Sequence, residues 1–415
     1  MEHYDILIRG GAIVDGTGAP RRRGDLGIRG GRIAALGEIR GSADETIEAD
    51  DHVVAPGFVD IHTHYDAQIL WDRMLTISPW HGVTSVVIGN CGFGIAPTRP
   101  EHRDLILRTL ESVEGMSLAA LRAGCGEAWP FETFPQFLDA IEQRGSAINV
   151  GALIGHTPLR LYVLGEEATE REASAEEVAR MRAIVGEALS AGALGFATSK
   201  APTHVGYAGK PVPSRAASFA EIEALAGSLA ELGRGVVQAT AGQGLFTDEF
   251  VALHRATRRP VSWTALLAGM LGPDGHRIVL ERTAELQRQG VAVIPQVSCR
   301  PLVIEFQFKA PFPFESLEFF RPVSASDAEG KKRIYADPEF RRVFRERAEG
   351  RVLGGRWADT VISECGSEPS LNERNLAEVA AERGLAPSDL ALDLALATDL
   401  EARFRMAVAN TDEAI

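Results

Sequence analysis

The sequence predicts an α/β protein: a (β/α)8 barrel of the TIM type, incomplete at its C-terminus, with a small N-terminal β-sandwich domain. Three observations predict it. Apolar runs ending in polar residues recur from Val53 onward, with helical segments between them. The runs are continuously apolar, as strands buried on both faces are. Before them, short alternating runs are punctuated by glycine pairs. A series of strands and helices in alternation gives a parallel sheet, and a long series closes as a barrel.

The elements follow in order. Tyr4–Arg9, Ala12–Val14, Asp25–Arg29 and Arg32–Leu36 alternate, and Gly10-Gly11, Asp15–Gly18 and Gly30-Gly31 turn between them. This reads as a small antiparallel β unit over residues 1–55. From Pro56 the period changes, and residues 56–415 read as the barrel. Val53–Ile61 is its first strand. Thr84–Ile88, Ile148–Ile154, Gly192–Ala197, Gly235–Thr240, Pro260–Leu266 and Val291–Gln296 follow. Between the third and fourth, Ser174 with Glu177 forms a capping box ahead of the apolar face Val178, Met181, Ile184, Val185 and Leu189. Residues 300–345 carry phenylalanines among prolines and read as a long loop or lid. Residues 373–384 and 387–399 read as helices, and Arg403–Val408 as one more short strand.

Bulk properties narrow the function. The chain has 415 residues, a net charge of -14 and 45% hydrophobic residues. That is ordinary globular composition, and its acidity argues against nucleic acid and anionic membrane as partners. A small-molecule substrate fits it, and a homo-oligomer stays open. Four scattered cysteines form no C-x-x-C pair, so a reducing cytoplasm is expected. No signal peptide and no membrane span are visible in the sequence.

Barrel enzymes place their chemistry at the C-terminal ends of the strands. The first strand ends in His62-Thr-His64. Side chains alternate along a strand, so both imidazoles point to one side and can share a metal ion; the plainer reading is two polar residues at a strand end. The second ends in Asn90-Cys91-Gly92, where a thiolate completes a His-His-Cys zinc set; the plainer reading is a buried apolar cysteine. The third ends in His156 and Arg160. His156 reads as a ligand, an oxyanion stabiliser or a satisfied polar residue. Arg160 reads as a fork for a substrate carboxylate or as a surface arginine. The fourth ends in Lys200, with His204 in the next loop. Lys200 reads as a carbamate bridging two metals, as a carboxylate partner or as a solvated lysine. Gln238 and Thr240, then Thr264, then Gln296, close the fifth to seventh strands.

Four segments carry a resemblance to a known family. They are Tyr4–Gly18, Ala55-Pro-Gly-Phe-Val-Asp-Ile-His-Thr-His-Tyr-Asp-Ala-Gln68, Gly82-Val-Thr-Ser-Val-Val-Ile-Gly-Asn-Cys-Gly-Phe93 and Gly192-Ala-Leu-Gly-Phe196. The chain resembles the amidohydrolase superfamily and, within it, the N-acyl-D-amino-acid deacylase (D-aminoacylase) family. The resemblance implies one or two zinc ions held by His62, His64 and Cys91, with the cysteine in a bridging place. It implies hydrolysis of the amide C–N bond of N-acyl-D-amino acids or related amides, a bond other than a peptide bond, by a zinc-activated water. Beside it, His156 and His204 are candidates for catalysis, Arg160 and Lys200 for binding substrate, and Asp66 for orienting a ligand histidine. The sequence departs from the family at three places. Ala239–Gln243 and Trp263–Leu266 lack the histidines that members carry after the fifth and sixth strands, and no eighth-strand Ser-Asp-x-Gly motif is present. Two other readings therefore stand: a cyclic-amide hydrolase of the hydantoin or dihydropyrimidine type, and a catalytically inactive barrel.

Overall fold

A computed structural model of the chain describes residues 2–269, 272, 274–348 and 356–411. It divides into two compact units: Met1–Asp60 with Ile77–Ser85, and Ile61–Thr76 with Val86–Ile415.

The first unit holds β1 (Glu2–Ile13), β2 (Arg22–Arg29), β3 (Arg32–Gly37), β4 (Gly41–Glu48) and β5 (Val53–Val54). They form one sheet in the order β3-β2-β1-β4, with β5 also on β1. The glycine turns give antiparallel pairs β1–β2 and β2–β3. β4 and β5 run parallel to β1, so the sheet is mixed where antiparallel pairing was expected. Tyr4, Leu7 and Ile39 form its small core. Gly27 makes room for it, because a Cβ there would lie 2.7 Å from the Tyr4 ring.

The next strands are β6 (Phe58–Asp60), β7 (Val83–Ile88), β8 (Asn149–Gly155), β9 (Gly195–Ser199), β10 (Val236–Thr240), β11 (Val261–Thr264) and β12 (Val293–Pro295). They line up in chain order in one seven-stranded sheet. Pairs from β8 to β12 are parallel. The expected first strand is split: β5 belongs to the N-terminal sheet, and β6 stops at Asp60. Helices α1 (Arg103–Glu114), α2 (Leu118–Cys125) and α3 (Phe134–Arg144) separate β7 from β8. α4 (His156–Leu164) and α5 (Ala175–Ala191) follow β8, then α6 (Phe219–Leu232), α7 (Thr247–Thr257) and α8 (Gly275–Arg288) alternate with β9 to β12. The Ser174–Glu177 capping box opens α5, and Met181, Val185, Ala188 and Leu189 are its buried face. β9 is buried at every residue, as a strand covered on both faces must be.

Residues 300–345 are not the loop or lid that their prolines suggest. β13 (Leu302–Gln307) opens a second core, and α9 (Arg321–Ser324), α10 (Ala328–Ala336) and α11 (Pro338–Ala348) follow. β14 (Thr360–Glu364), β15 (Arg374–Asn375) and β16 (Arg403–Ala409) complete an antiparallel sheet in the order β13-β16-β14-β15. α12 (Leu376–Arg383) and α13 (Pro387–Ala397) belong to the same part. Phe306, Phe308, Phe314, Phe320, Phe344 and Phe404 are buried together there. Each such ring contributes roughly 2–3 kcal/mol by leaving water, enough to organise the segment. Thus β16, which reads as one more strand after the barrel helices, is a central strand of this separate sheet.

Candidate metal centre

Beyond Asp60 the chain runs on without strand pairing, and Thr63 anchors it. Its N–H and its hydroxyl both donate to the Val87 carbonyl, at 3.1 and 2.8 Å. His62 and His64 flank this anchor. After β7 the chain turns tightly through Gly89 (φ 84°), Cys91 (φ 58°) and Gly92 (φ 71°). A Cβ on Gly89 would lie 2.1 Å from the Leu153 carbonyl oxygen, and one on Gly92 would lie 2.8 Å from Thr198 Cα. The turn is therefore pressed against the ends of β8 and β9. Cys91 itself holds a left-handed conformation, at a cost of about 1–2 kcal/mol for a residue with a Cβ.

This turn brings Cys91 to the histidines. His62, His64 and Cys91 each offer a donor atom, and the three atoms lie within 4.8 Å of one another. Cys91 Sγ is 3.3 Å from His62 Nε2. Two ligands at zinc bond lengths of ~2.0 and ~2.3 Å with a tetrahedral angle lie ~3.5 Å apart, so this pair has the spacing of shared ligands. The donor set of two imidazoles and a thiolate is one that zinc favours.

A chain of hydrogen bonds at the strand ends fixes the set. The Cys91 N–H donates to Gln238 Oε1 at 2.7 Å. Gln238 Nε2 donates to Thr264 Oγ1 at 3.1 Å, and the Thr264 hydroxyl donates to Gln296 Oε1. Gln296 Oε1 also lies 2.6 Å from His62 Nδ1. Only a protonated Nδ1 satisfies that amide oxygen, so the network assigns His62 the tautomer whose Nε2 lone pair faces Cys91. The backbone of one ligand is thereby tied to the ring of another.

His64 is held differently. Its Nε2 lies 3.3 Å from Glu114 Oε1, at the end of α1. Its Nδ1 is buried with no hydrogen-bond partner. Buried polar atoms are normally satisfied, so an orphan here is a mark of a missing electrophile. Burial pushes the acids up: Glu114 to about 8, helped by the Asp66 charge, and Asp66 to about 7. Burial also raises the Cys91 thiol, with Glu114 adding to it, and holds His64 well below its usual value, with His62 and His204 adding. A cation among these groups reverses that balance and favours thiolate, carboxylates and neutral imidazoles. The residues present fit a metal ion.

The other expected site residues divide. His204 stays with the centre. Its ring packs on Phe93 at 4.9 Å, its Nδ1 meets Ser199 Oγ at 2.7 Å, and burial with the charges of Arg215 and His62 lowers it to about 3. His156 and Arg160 are instead buried in a separate ionic cluster. Arg160 Nη1 donates to both carboxylate oxygens of Glu221, at 2.6 and 2.5 Å, and its remaining donors go to the carbonyls of Ala168 and Arg171. No donor is left for a substrate carboxylate. His156 Nε2 meets Glu221 Oε1 and its Nδ1 meets Thr198 Oγ1, both at 2.8 Å. Both ring nitrogens are thus engaged, and the residue is 0% exposed. Lys200 Nζ donates to the Arg215 and Ala217 carbonyls at 2.7 and 2.5 Å. A carbamate keeps a single N–H for those two acceptors, so a bridging carbamate does not suit it. Asp66 Oδ2 is buried without a partner, and the carboxylate bonds to backbone at Asp66 and Gly89.

Two features escape sequence reasoning. Glu114 closes an amphipathic helix away from any strand end and reads as a solvated helix terminus. Gln238, Thr264 and Gln296 do stand at strand ends, but no spacing reveals that they form one relay. The signal available for them was polarity inside otherwise apolar strands.

The model of the amidohydrolase family matches residues 45–299. The chain is 31% identical over 396 residues to a D-aminoacylase of Alcaligenes xylosoxydans xylosoxydans, covering 94% of this chain and 68% of that protein. It is 39% identical over 202 residues to an N-acyl-D-glutamate deacylase of the same organism, covering 48% of this chain and 38% of that one. Among solved structures, it is similar to N-acyl-D-glutamate deacylase from Bordetella bronchiseptica, crystallised with zinc and a phosphonate mimic of the tetrahedral intermediate. That likeness has a TM-score of 0.62 and 28% identity, over 99% of this chain and 72% of that one.

Proposed function

We propose that this chain, which belongs to the amidohydrolase family, is a metal-dependent hydrolase of N-acyl-D-amino acids, cleaving their amide C–N bond. The relatives' named substrates suggest the class. The observation that carries the reading is the convergence of His62, His64 and Cys91 within 4.8 Å.

Zinc held by these three residues would supply a Lewis acid that polarises the acyl carbonyl and acidifies water toward neutrality. The chain's own residues prepare for it. Gln296 keeps the proton of His62 on Nδ1 and leaves Nε2 to ligate. Gln238 fixes the Cys91 backbone, so the thiolate is aimed by the strand ends. His204, held uncharged with a value of about 3, is assigned to hydrogen-bond the substrate and not to act as a general acid at neutral pH.

The test is a substrate panel with the zinc-loaded protein: N-acetyl-D-amino acids, their L-enantiomers, and hydantoin and dihydrouracil. The D-amides alone are expected to turn over. Turnover of only the cyclic amides would sink the deacylase reading, and no turnover by a metal-loaded, folded protein would favour an inactive barrel.

A further inference from the structure

We propose that Arg215 selects the substrate: its guanidinium binds the carboxylate of the N-acyl amino acid. The inference rests on the deacylase reading above and names the residue that recognises the acid.

A short excursion after β9 brings Arg215 to the site. Val205 pairs with Pro211 as an antiparallel bridge, and the Gly206 N–H donates to the Lys210 carbonyl at 2.7 Å. The chain thus folds back, and the Val212 N–H donates to the His204 carbonyl at 3.4 Å. Arg215 follows in a short 3-10 turn, Pro213–Ala216. Lys200, one residue beyond β9, props that turn, because its Nζ donates to the Arg215 and Ala217 carbonyls. Arg215 Nη1 in turn donates to the Pro202 and His204 carbonyls, at 3.1 and 3.2 Å. These bonds clip the guanidinium to the loop that carries His204. The His204 ring packs on Phe93, whose own ring centroid is 6.0 Å from that of His64. Arg215 therefore contacts a residue that packs at the metal set.

The charge of Arg215 is not neutralised. Among the described residues no carboxylate pairs with it, and neither Nε nor Nη2 donates a hydrogen bond. Burial holds the guanidinium below the usual arginine value, with no neighbouring acid to offset it. A partly buried cation without an acid carries a desolvation cost, and interior arginines are normally paired. Arg160 shows the paired case, on Glu221. In a chain of net charge -14, an arginine left without an acid beside the metal set stands out. Nε and Nη2 form one edge of the guanidinium fork, which takes a carboxylate in two parallel N–H bonds. In an N-acyl amino acid, only the nitrogen and the α-carbon separate the acyl carbonyl from the carboxylate. A cation near the metal set suits that short span. The competing role for Arg215 is a loop clip, through its two carbonyl bonds alone.

The experiment compares hydrolysis of N-acetyl-D-amino acids and of their carboxamides by the zinc-loaded full chain, in wild type and Arg215→Gln. Glutamine keeps an amide donor for the loop carbonyls and removes the charge. The preference for acid over carboxamide, as a ratio of kcat/KM values, is expected to fall roughly 10–100-fold, the worth of a hydrogen bond to a charged group. Equal losses on both substrates would overturn the inference in favour of the loop clip, and an unchanged ratio would overturn it outright. A second measurement needs no variant, so it decides even if Arg215→Gln fails to fold. Zinc-loaded wild type is treated with phenylglyoxal, and modification of Arg215 is followed by peptide mass spectrometry. The N-acetyl-D-amino acids are expected to slow that modification and their carboxamides to leave it unchanged. An Arg215 that never reacts, or that both ligands affect alike, would overturn the inference. Protection by the acid without turnover would sustain this inference and sink the deacylase reading. Turnover with an unchanged ratio would do the reverse.

Discussion

Gln296 Oε1 lies 2.6 Å from His62 Nδ1, across 234 residues of sequence. This contact joins the end of the last strand of the barrel run to the first histidine of the proposed metal set. It also receives the Thr264 hydroxyl, so a single amide oxygen closes the relay from Cys91. Gln296→Leu removes that acceptor and frees the His62 ring to rotate. Zinc affinity, measured by chelator competition, is expected to fall ~10–100-fold with little change in the melting of the metal-free protein.

We propose that Arg160, paired with Glu221 in the interior, is a structural cation. Arg160→Met leaves the buried Glu221 carboxylate with only the His156 ring as partner. Stability, read from urea unfolding, is expected to drop by about 3–5 kcal/mol, as when one member of a buried ion pair is removed. If Arg160 bound substrate instead, the variant would keep its stability and show a raised KM.

The same cluster sets an acid limit. Burial raises the Glu221 carboxyl, but hydrogen bonds and charges from His156 and Arg160 outweigh it and lower it from 4.5 to about 2. The folded value lies below the unfolded one, so the unfolded state binds the proton more readily. Its stabilisation is complete above about pH 4.5 and is lost as pH falls through about 2. Urea midpoints between those values are expected to fall less steeply in Glu221→Gln than in wild type. Parallel slopes would show that Glu221 does not titrate in this window.

Phe308 separates a core from a lid. It is fully buried, and its carbonyl accepts from Tyr335. Phe308→Ala is expected to cost about 3–5 kcal/mol of stability, by urea unfolding. A lid residue would affect turnover and leave stability alone.

These cases show what the sequence made legible. The strand series and the His62, His64 and Cys91 set were readable because parallel strands are apolar runs and their ends carry the polar exceptions. The set depends on short-range geometry, one turn after each strand. The relations that were not readable are long-range. Arg160 and His156 stand at a strand end like true site residues, and only the fold brings Glu221, 61 and 65 residues further on, against them. The C-terminal sheet was hidden for the same reason. β13 pairs with β16, so Phe306 lies opposite Phe404, and nothing local in either strand announces its partner. Glu114 was hidden by ordinary helix amphipathicity.

The central claim is that His62, His64 and Cys91 hold a metal. The most direct measurement is elemental analysis of the folded protein, purified without chelator, beside Cys91→Ala. The account predicts about one or more zinc per chain in wild type and its loss in the variant. Zinc that persists undiminished in Cys91→Ala, or a folded wild type with none, would contradict it.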